Sequence, residues 1–327
     1  MATLRDVAVA AGVSPATASR ALSAPDTVST ARRHRVIEAA ERLGYQPNRS
    51  AQALASGQSG HVGLVLPDLA NPSFAAIAKG VQAQARGSRN SVLIADTDED
   101  ARAEREIVRD LQANVDGLVL CSPRMPEEQI RECAAAGPLV LVNREVEGLP
   151  SVTFDSAAGV TQALQHLRAL GHRHVAYVGG PTSSWSDAHR RRALGSVEGV
   201  EVTDVGSHRP VHQGGVAAAD LALETGATAI LCYNDLIALG VMSRLRARGV
   251  TVPDDISVVG FDDIGAASYV SPMLTTVAIP LTRAGHEATT MLEQLRSDGT
   301  DGHPVRLPVE LVVRESTSPH ASTAPHT

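Results

Sequence analysis

The sequence predicts a small all-α unit at the N-terminus followed by a large α/β core. Two observations lead to this fold class. The first 57 residues contain short, Ala-rich amphipathic segments with helix-capping residues at their ends. From residue 61 onward, short Val/Ile/Leu runs alternate with helix-length amphipathic stretches, a pattern typical of parallel strands covered by helices on both faces. With 327 residues, the chain is long enough for two or three domains.

The first predicted helix is bounded by capping signals at both ends. Thr3 and Asp6 form a capping-box pair, and Gly12 supplies a C-terminal stop. Four apolar residues then share one face of the helix, namely Leu4, Val7, Ala8 and Ala11.

A second helix follows a short turn that contains Gly12. Ser14 is placed to cap it, and Pro15 occupies the first helical position, where a missing N–H costs nothing. We expect this helix to continue to Leu22. Two short helices joined by such a turn predict a helix-turn-helix, whose second helix is the usual reader of the DNA major groove.

A third helix is predicted from the Ser29/Thr30 cap to Gly44, burying Val36, Ile37, Ala40 and Leu43. Residues 1–60 hold seven Arg and four acidic residues, a net charge of +3. Because the whole chain has a net charge of −7, the remaining residues carry −10. This asymmetry fits a DNA-binding head on an acidic body, although chance clustering explains a charge of +3 equally well.

Three features of the head occur together: the string GVSPATASRAL, the Val28-Ser29 start of the third helix, and the segment YQPNRSAQAL. A helix-turn-helix pattern alone is also compatible with a generic small helical bundle. In this combination, order and spacing, the chain resembles the LacI-type (LacI/GalR) bacterial transcription regulators. The resemblance implies a hinge helix within residues 46–57, with Leu54 inserted into the minor groove. It implies DNA contacts by Thr3, Ser14, Pro15, Ala16, Thr17, Ser19, Arg20, Asn48, Arg49, Ala51 and Leu54.

The core is predicted to be doubly wound, with two parallel sheets. Its buried strands are Val62–Leu66, Val92–Ala95, Gly117–Leu120, Leu139–Val142, Val175–Val178, Ala229–Cys232 and Ile256–Gly260. The series splits into a first sheet that ends near Asp155 and a second that runs from about His174 to Asp262. A helix is predicted at Arg283–Ser297 and a last strand at Arg306–Val313.

The family resemblance also implies a domain plan, shared with the periplasmic sugar-binding proteins, in which the chain crosses between two lobes near Asp155, Leu281 and Glu310. We therefore expect a head at 1–45, a hinge at 46–57 and an effector-binding and dimerisation core at 58–315. Lobe 1 comprises about 61–155 plus 282–309, and lobe 2 about 156–281 plus 310–315. Residues 316–327, rich in Ser, Thr, Pro and His, are expected to form a disordered tail.

Polar residues at the carboxyl ends of the strands mark the expected binding cleft. An Arg fork, an amide and a carboxylate suit a polyhydroxylated sugar, because neighbouring hydroxyl groups both donate and accept hydrogen bonds. Phe74 either stacks on the ligand or packs in the core, and the polar groups have alternative roles as strand-end caps. By resemblance, the expected effector-binding residues are Ser73, Phe74, Trp185, Arg190, Asn234 and Asp262.

Two uncertainties concern the wall of this cleft. Arg191 and Arg192 adjoin Arg190, which leaves the register of the arginine open by one residue. The segment from Gly195 to Gly214 is shorter than in the family pattern, and Pro210 stands where many members carry an aromatic ring. Trp185 either replaces that ring or packs as part of a lid.

Several functional classes leave no trace in the sequence. It contains no glycine-rich phosphate loop, dinucleotide fingerprint, paired-His zinc helix or Gly-x-Ser-x-Gly elbow, so we expect no enzyme activity, cofactor or metal. Three cysteines without metal-ligand spacing are expected to be reduced core thiols. Since there is no signal region and no run of 18 apolar residues, the chain is expected to be soluble and cytoplasmic.

Together these features predict a homodimeric transcription regulator, expected to repress, that binds a near-palindromic DNA operator and responds to a small-molecule effector, most simply a sugar. A sugar-binding transport receptor would share the core but need a signal peptide and have no use for residues 1–57. A sugar-modifying enzyme would show an acid/base pair or a phosphate loop in the cleft. Effector identity, the direction of its effect, and dimer versus tetramer stay open.

Overall fold

The computed structural model describes residues 2–23, 27–45, 58–299 and 302–320. The chain divides into two compact units, Met1–Gly60 and His61–Thr327, and each is described by itself. The predicted hinge at 46–57 lies outside the described residues.

The N-terminal unit contains three helices: α1 (Leu4–Ala11), α2 (Pro15–Ser23) and α3 (Thr30–Arg42). Both hydrogen bonds of the Thr3/Asp6 capping box are present, and Gly12 ends α1 with a left-handed φ of 64°. These predicted helix ends are confirmed. The helices enclose a small core of Val7, Ala8, Ala11, Ala18, Ala21, Val36, Ala39 and Ala40.

Three expectations for the third helix are wrong, and the first concerns Ile37, which is half-buried and not part of the small core. Leu43 is 38% exposed, because α3 ends one residue before it, and Ala39 and Tyr45 pack on the small core instead. Ser29 precedes the helix but makes no side-chain capping hydrogen bond.

The core begins with alternating strands and helices. They are β1 (His61–Leu66), α4 (Pro72–Gly87), β2 (Ser91–Asp96), α5 (Ala101–Gln112), β3 (Leu118–Cys121), α6 (Glu127–Ala136), β4 (Leu139–Val142) and β5 (Ser151–Phe154). The second half repeats this alternation. It contains α7 (Ser156–Ala169), β6 (His174–Gly179), α8 (Trp185–Ala193), β7 (Glu201–Ser207), α9 (His212–Glu224), β8 (Ala229–Cys232), α10 (Asp235–Ala247), β9 (Ser257–Asp262) and β10 (Thr275–Ala278). The described elements end with α11 (Leu281–Asp298), β11 (Val305–Leu307) and β12 (Glu310–Val312).

The strands form two six-stranded sheets with equivalent topology. The first has the order β11-β5-β4-β3-β1-β2, and the second β12-β10-β9-β8-β6-β7. All pairs are parallel except β10 with β12. The chain passes from the first sheet to the second after β5, returns after β10, and crosses again between β11 and β12. In each sheet the winding direction reverses at one point, between β1 and β3 and between β6 and β8, where open α/β sheets bind ligands.

Three strands of the core were not predicted, and the last predicted strand is divided. β5 and β10 carry buried Ser151, Thr153, Thr275 and Thr276, so they lack a continuous apolar run. β7 is an edge strand with no fully buried residue and therefore shows no hydrophobic pattern. The predicted strand Arg306–Val313 is in fact β11 and β12, one in each sheet.

The expectation of a disordered tail from residue 316 is wrong for its first part. Ser316 is fully buried, its carbonyl accepts a hydrogen bond from the amide of Val258, and its hydroxyl donates to the Val258 carbonyl. The amide of His320 donates to the carbonyl of Leu170. The segment adheres because it satisfies backbone groups near the start of β9 and at the end of α7. Residues 321–327 lie outside the described residues.

Candidate functional site

A small cavity lies between the two lobes of the core, at the carboxyl ends of strands from both sheets. Its volume is about 30 Å³, which holds only about two water molecules. The lining comes from both lobes: Asn71, Ser73, Phe74, Ile77, Glu99, Ser122, Arg124, Asn143, Phe154, Arg190, Pro210, Tyr233, Asn234, Asp262, Ile279 and Leu281. Five of the six expected effector-binding residues are thus brought together, and Trp185 is not among them.

Strained backbone is concentrated where the strands meet the cavity. Ser122 after β3, Asn143 after β4, Glu99 in the loop after β2 and Asp262 at the end of β9 have positive φ values of 45°, 56°, 62° and 115°. Residues other than glycine adopt this conformation only at a cost of about 1–3 kcal/mol, so such residues collect at functional sites. The strain therefore marks the same edge of the sheets as the cavity.

Arg190 points from α8 into the cavity wall and is 3% exposed. Its guanidinium lies 3.5 Å from the ring centroid of Phe261 and 4.7 Å from that of Tyr233, and its Nη1 donates to the carbonyl of Tyr233. Its Nε is buried, and no described residue accepts a hydrogen bond from it. A buried guanidinium with a free N–H is a ready donor for a ligand acceptor.

The structure resolves the register of the three arginines in α8. Arg191 pairs with Asp187 and Asp204 on the side of the sheet edge, and Arg192 donates to the half-buried ring of His189. Neither lines the cavity, so Arg190 is the arginine of the cleft, in the register that the sequence analysis assigned.

Asp262 connects the two lobes. The hydroxyl of Ser73, from the first lobe, donates to Asp262 Oδ2 at 2.8 Å. Burial raises the pKa of Asp262 to about 6, while the nearby Arg190 and the hydrogen bond from Ser73 lower it. The carboxylate oxygen that faces Ser73 is therefore available to accept a hydrogen bond from a ligand hydroxyl if the lobes separate.

Asn234 has the capping role considered for it, and its side chain also lines the cavity. Its Oδ1 accepts the amide of Ile237 at 2.9 Å and caps α10, and its Nδ2 donates to the carbonyl of Pro210 at 3.1 Å. Pro210 itself is buried and lines the cavity at the position where the family pattern has an aromatic ring. The side chain of Asn234 thus holds this wall against α10.

The two aromatic residues of the expected site are placed differently. Phe74, in the first turn of α4, is 8% exposed and lies both on the cavity and in the first-lobe core, so packing and ligand contact are compatible. The ring of Trp185 packs on His189, with centroids 3.6 Å apart, and does not line the cavity. Trp185 therefore does not replace the missing ring here.

Apart from Ser73, the sequence analysis missed the polar groups that the first lobe contributes to the cavity. Arg124 and Glu99 form a two-pronged ion pair, with Nε to Oε2 at 2.5 Å and Nη2 to Oε1 at 3.0 Å, and the amide of Asn143 donates to the hydroxyl of Ser122 at 2.9 Å. Ser122, Arg124 and Asn143 directly follow two predicted strands, and this position was the signal that could have identified them.

Behind Arg124, a buried carboxylate holds the backbone of its loop. Glu104 Oε2 accepts the amides of Arg124 at 2.8 Å and Met125 at 2.7 Å. Burial raises the pKa of Glu104 to about 7, against the lowering effect of these two hydrogen bonds.

In the N-terminal unit, α2 presents a polar outer face. Ser14, Pro15, Ala16, Ser19 and Arg20 are exposed and Thr17 is half-buried, whereas Ala18 and Ala21 face the core. Ser14 Oγ accepts the amide of Thr17 at 3.1 Å, which confirms the predicted cap. Thr3 is exposed at the start of α1. Asn48, Arg49, Ala51 and Leu54, for which DNA contacts were expected, lie outside the described residues.

Other kinds of site find little support within the described ranges. They contain no cluster of His, Cys, Asp and Glu side chains suited to a metal ion. Cys121, Cys133 and Cys232 are buried free thiols. Among the described helices, none is long and apolar enough to cross a membrane.

Comparison with known proteins identifies relatives along almost the whole chain. Residues 3–48 match the family model for bacterial regulatory proteins of the lacI family, and residues 164–317 match a periplasmic binding protein-like domain. The HTH-type transcriptional repressor CytR of Escherichia coli (strain K12) is 31% identical, covering 97% of this chain and 96% of CytR.

Two solved structures show the same similarity in three dimensions. The lac repressor dimer bound to operator and the anti-inducer ONPF aligns with a TM-score of 0.84 at 30% identity, covering 97% of this chain and 99% of the repressor. The complex of the transcriptional regulator CelR with cellobiose aligns with a TM-score of 0.71 at 30% identity, covering 97% and 100% of the two chains.

Proposed function

The chain belongs to the lacI family of bacterial regulatory proteins and is a sequence-specific DNA-binding transcription regulator; we propose that it is a repressor controlled by a neutral sugar or sugar derivative bound between its lobes. The sugar complex of CelR supports this class of effector by similarity. As a regulator of transcription, the protein would act in the cytoplasm and catalyse no reaction.

One observation carries the proposed effector site. The two lobes direct hydrogen-bonding groups into one buried cavity, and two of these groups, the Nε of Arg190 and the Oδ1 of Asn143, are buried with no partner among the described residues. Buried polar atoms are normally paired, so such atoms in a cavity wall favour a ligand that pairs with them. Ser73, Asn234 and Asp262 would add hydroxyl, amide and carboxylate groups, and Phe74 an aromatic face.

The size of the cavity links binding to lobe movement. A volume of about 30 Å³ is far below the roughly 300–1,000 Å³ of ordinary ligand pockets. A sugar would therefore enter only when the lobes separate and the Ser73–Asp262 hydrogen bond breaks. Because a ligand shifts the equilibrium toward the arrangement it binds better, effector binding would change the lobe arrangement and thereby operator affinity.

For DNA binding, the exposed face of α2 would lie in the major groove. Pro15 and Ala16 cannot donate side-chain hydrogen bonds, so base recognition would depend on Ser14, Thr17, Ser19 and Arg20 together with apolar contacts to thymine methyl groups. Thr3 and the hinge residues Asn48, Arg49, Ala51 and Leu54 are proposed as further contacts. A homodimer with two-fold symmetry would require a near-palindromic operator.

The effector site can be tested with two substitutions and a neighbouring control. Neutral pentoses, hexoses and cellobiose are screened by thermal shift on the full chain, since a bound ligand raises the melting temperature. The response of the complex with an operator selected in vitro is then titrated for Arg190→Ala, Asp262→Ala and the exposed control Arg192→Ala. We expect the first two to bind operator but to need about tenfold more sugar or higher, because each loses a charged hydrogen-bond partner.

Arg192→Ala should respond like the parent chain, because Arg192 lies outside the cavity. A folded Arg190→Ala/Asp262→Ala double variant that responds at the parent's sugar concentration would place the effector site elsewhere.

A further inference from the structure

Arg124 and Glu99 form a second buried donor–acceptor pair on the first-lobe side of the cavity. Their side chains are 3% and 15% exposed, and both line the cavity. The opposite wall carries Arg190 and Asp262 from the second lobe. Each lobe therefore contributes one guanidinium and one carboxylate to the same small space.

The position of Arg124 is determined by the scaffold rather than by a ligand. Its backbone amide and that of Met125 donate to Glu104, a residue of α5 that is 1% exposed. Glu99 holds Nε and Nη2 of the guanidinium, whereas no described residue accepts a hydrogen bond from its third nitrogen, Nη1. An arginine fixed in this way presents its remaining donors in a defined direction, as a recognition site requires.

Stability alone gives a weak reason for a charged pair at this position. Removing two charges from water costs several kcal/mol per ion, and well-packed apolar residues often replace a buried pair without loss of stability. Glu99 also adopts a left-handed φ of 62°, a second local cost. The desolvation of the ion pair and the backbone strain of Glu99 are both unfavourable to stability. Their occurrence at one point of the cavity wall favours a role in ligand recognition.

We propose that Arg124 and Glu99 are specificity-determining residues that hydrogen-bond to hydroxyl groups on one edge of a neutral polyhydroxylated effector, while Arg190 and Asp262 bind the opposite edge. This inference rests on the proposed function of the cleft. Because the four charged side chains sum to zero, these residues provide no net positive charge to attract a phosphate or carboxylate on the effector. A neutral ligand with hydroxyl groups on two edges matches the donors and acceptors on both walls.

The test measures the coupling between these residues and single hydroxyl groups of the sugar. The probe is the neutral sugar of the panel that the parent chain binds most tightly, with its monodeoxy analogues and its phosphorylated counterpart, by calorimetry on the full chain. The variants are Arg124→Lys, which keeps the charge but loses the fork, and Arg124→Met/Glu99→Gln, which removes both charges together. Arg131→Met/Glu127→Gln makes the same replacements in the exposed pair of α6, away from the cavity.

We expect at least one deoxy analogue to bind the parent about tenfold or more weakly, since a hydrogen bond to a charged group is lost. In Arg124→Met/Glu99→Gln, the affinities for the sugar and this deoxy analogue should differ by no more than about threefold. In Arg124→Lys, the difference should be smaller than in the parent. The control variant Arg131→Met/Glu127→Gln should show the same difference between the two affinities as the parent. The phosphorylated counterpart should bind the parent at least about tenfold more weakly than the neutral sugar.

The inference fails by itself if the parent binds a neutral sugar but the variants discriminate among the deoxy analogues as the parent does. It also fails if the phosphorylated counterpart binds more tightly. If Arg124→Met/Glu99→Gln does not fold, the same criterion applied to Arg124→Lys decides. If the parent binds no sugar of the panel, the proposed function is overturned and this inference with it.

Discussion

At the scale of single residues, the cleft contains buried charged side chains, and each of them has different neighbours. Arg190 lies between the rings of Phe261 and Tyr233, so its charge is stabilised by aromatic faces as well as by hydrogen bonding. Asp262 is paired by one hydroxyl and keeps a raised pKa of about 6. In the proposed function, the incomplete pairing of both groups leaves them available to a ligand.

Glu104 provides a residue-scale prediction on pH. Burial raises its pKa from 4.5 to about 7, so the folded chain binds the proton more tightly than the unfolded chain between these values. The stabilising effect of protonation is complete below pH 4.5 and is lost as the pH rises through 7. Relative to Glu104→Gln, the parent's free energy of unfolding should therefore fall by about 2–3 kcal/mol between pH 5 and 8.

Urea denaturation of the parent and Glu104→Gln at several pH values measures this difference. Gln keeps an acceptor for the amides of Arg124 and Met125 and does not titrate, and the contribution of Asp262 cancels between the two chains. A difference that stays constant with pH would show that Glu104 does not titrate in this range.

Arg20 is the charged residue on the exposed face of α2, and its Nε donates only to the carbonyl of Ala16 at 3.3 Å. If it binds a base edge, Arg20→Ala should weaken operator binding by about 1–3 kcal/mol and relax specificity at one position in each half-site. A phosphate contact would instead weaken all sequences alike and reduce the salt slope by about one. Binding to matched and mutated operators at several salt concentrations distinguishes these roles.

At the scale of elements, each lobe contains a pair of helices that pack closely because glycine residues lie at their contact. In the first lobe, a Cβ on Gly80 would lie 2.0 Å from the carbonyl oxygen of Thr282, and one on Gly285 would lie 2.1 Å from that of Ile77, so α4 and α11 touch backbone to backbone. In the second lobe, Gly215 and Gly240 have the same relation between α9 and α10. Each lobe thus has one helix pair that admits no side chain at its contact.

Gly80→Ala should consequently lower the free energy of unfolding of the core by about 1–3 kcal/mol, because the added methyl group forces two backbones apart. Gly87→Ala, in the same helix with no atom within 4 Å of its added Cβ, serves as the matched control. It should be neutral or slightly stabilising, since Ala is the better helix former. Equal urea midpoints for the two variants would contradict the close contact of α4 and α11.

At the scale of the whole molecule, the two sheets share one strand order, so their switch points and strand ends can face each other across a single cleft. The chain crosses this boundary three times, which ties the lobes together while leaving the cavity between them. In the proposed function, an effector that binds both walls would change the separation of the lobes and so provide the differential binding that regulation of DNA affinity requires. The insertion of Leu54 into the minor groove stays a prediction, because the hinge lies outside the described residues.

The sequence by itself determined what depends on local signals. Capping residues delimited α1 and the start of α2, and continuous apolar runs located β1 to β4, β6, β8 and β9, because these features arise from neighbours in the chain. Position after a strand indicated Asn234 and Asp262, whereas Arg190, which lies within α8, was selected by resemblance to the family. Apolar runs failed to locate β5 and β10, because buried Ser and Thr side chains interrupt the apolar pattern of both strands; in β10 the Thr276 hydroxyl donates to the distant Asp235.

Only the tertiary structure decided which polar residues meet. Glu99 and Arg124 are 25 positions apart, and Ser73 and Asp262 are 189 apart, so no periodicity could connect them. Trp185 differs from these pairs, because its ring packs on His189 one turn further along the same helix. Side-chain direction depends on how helices and strand ends pack, and packing is a property of contacts between segments that are remote in sequence.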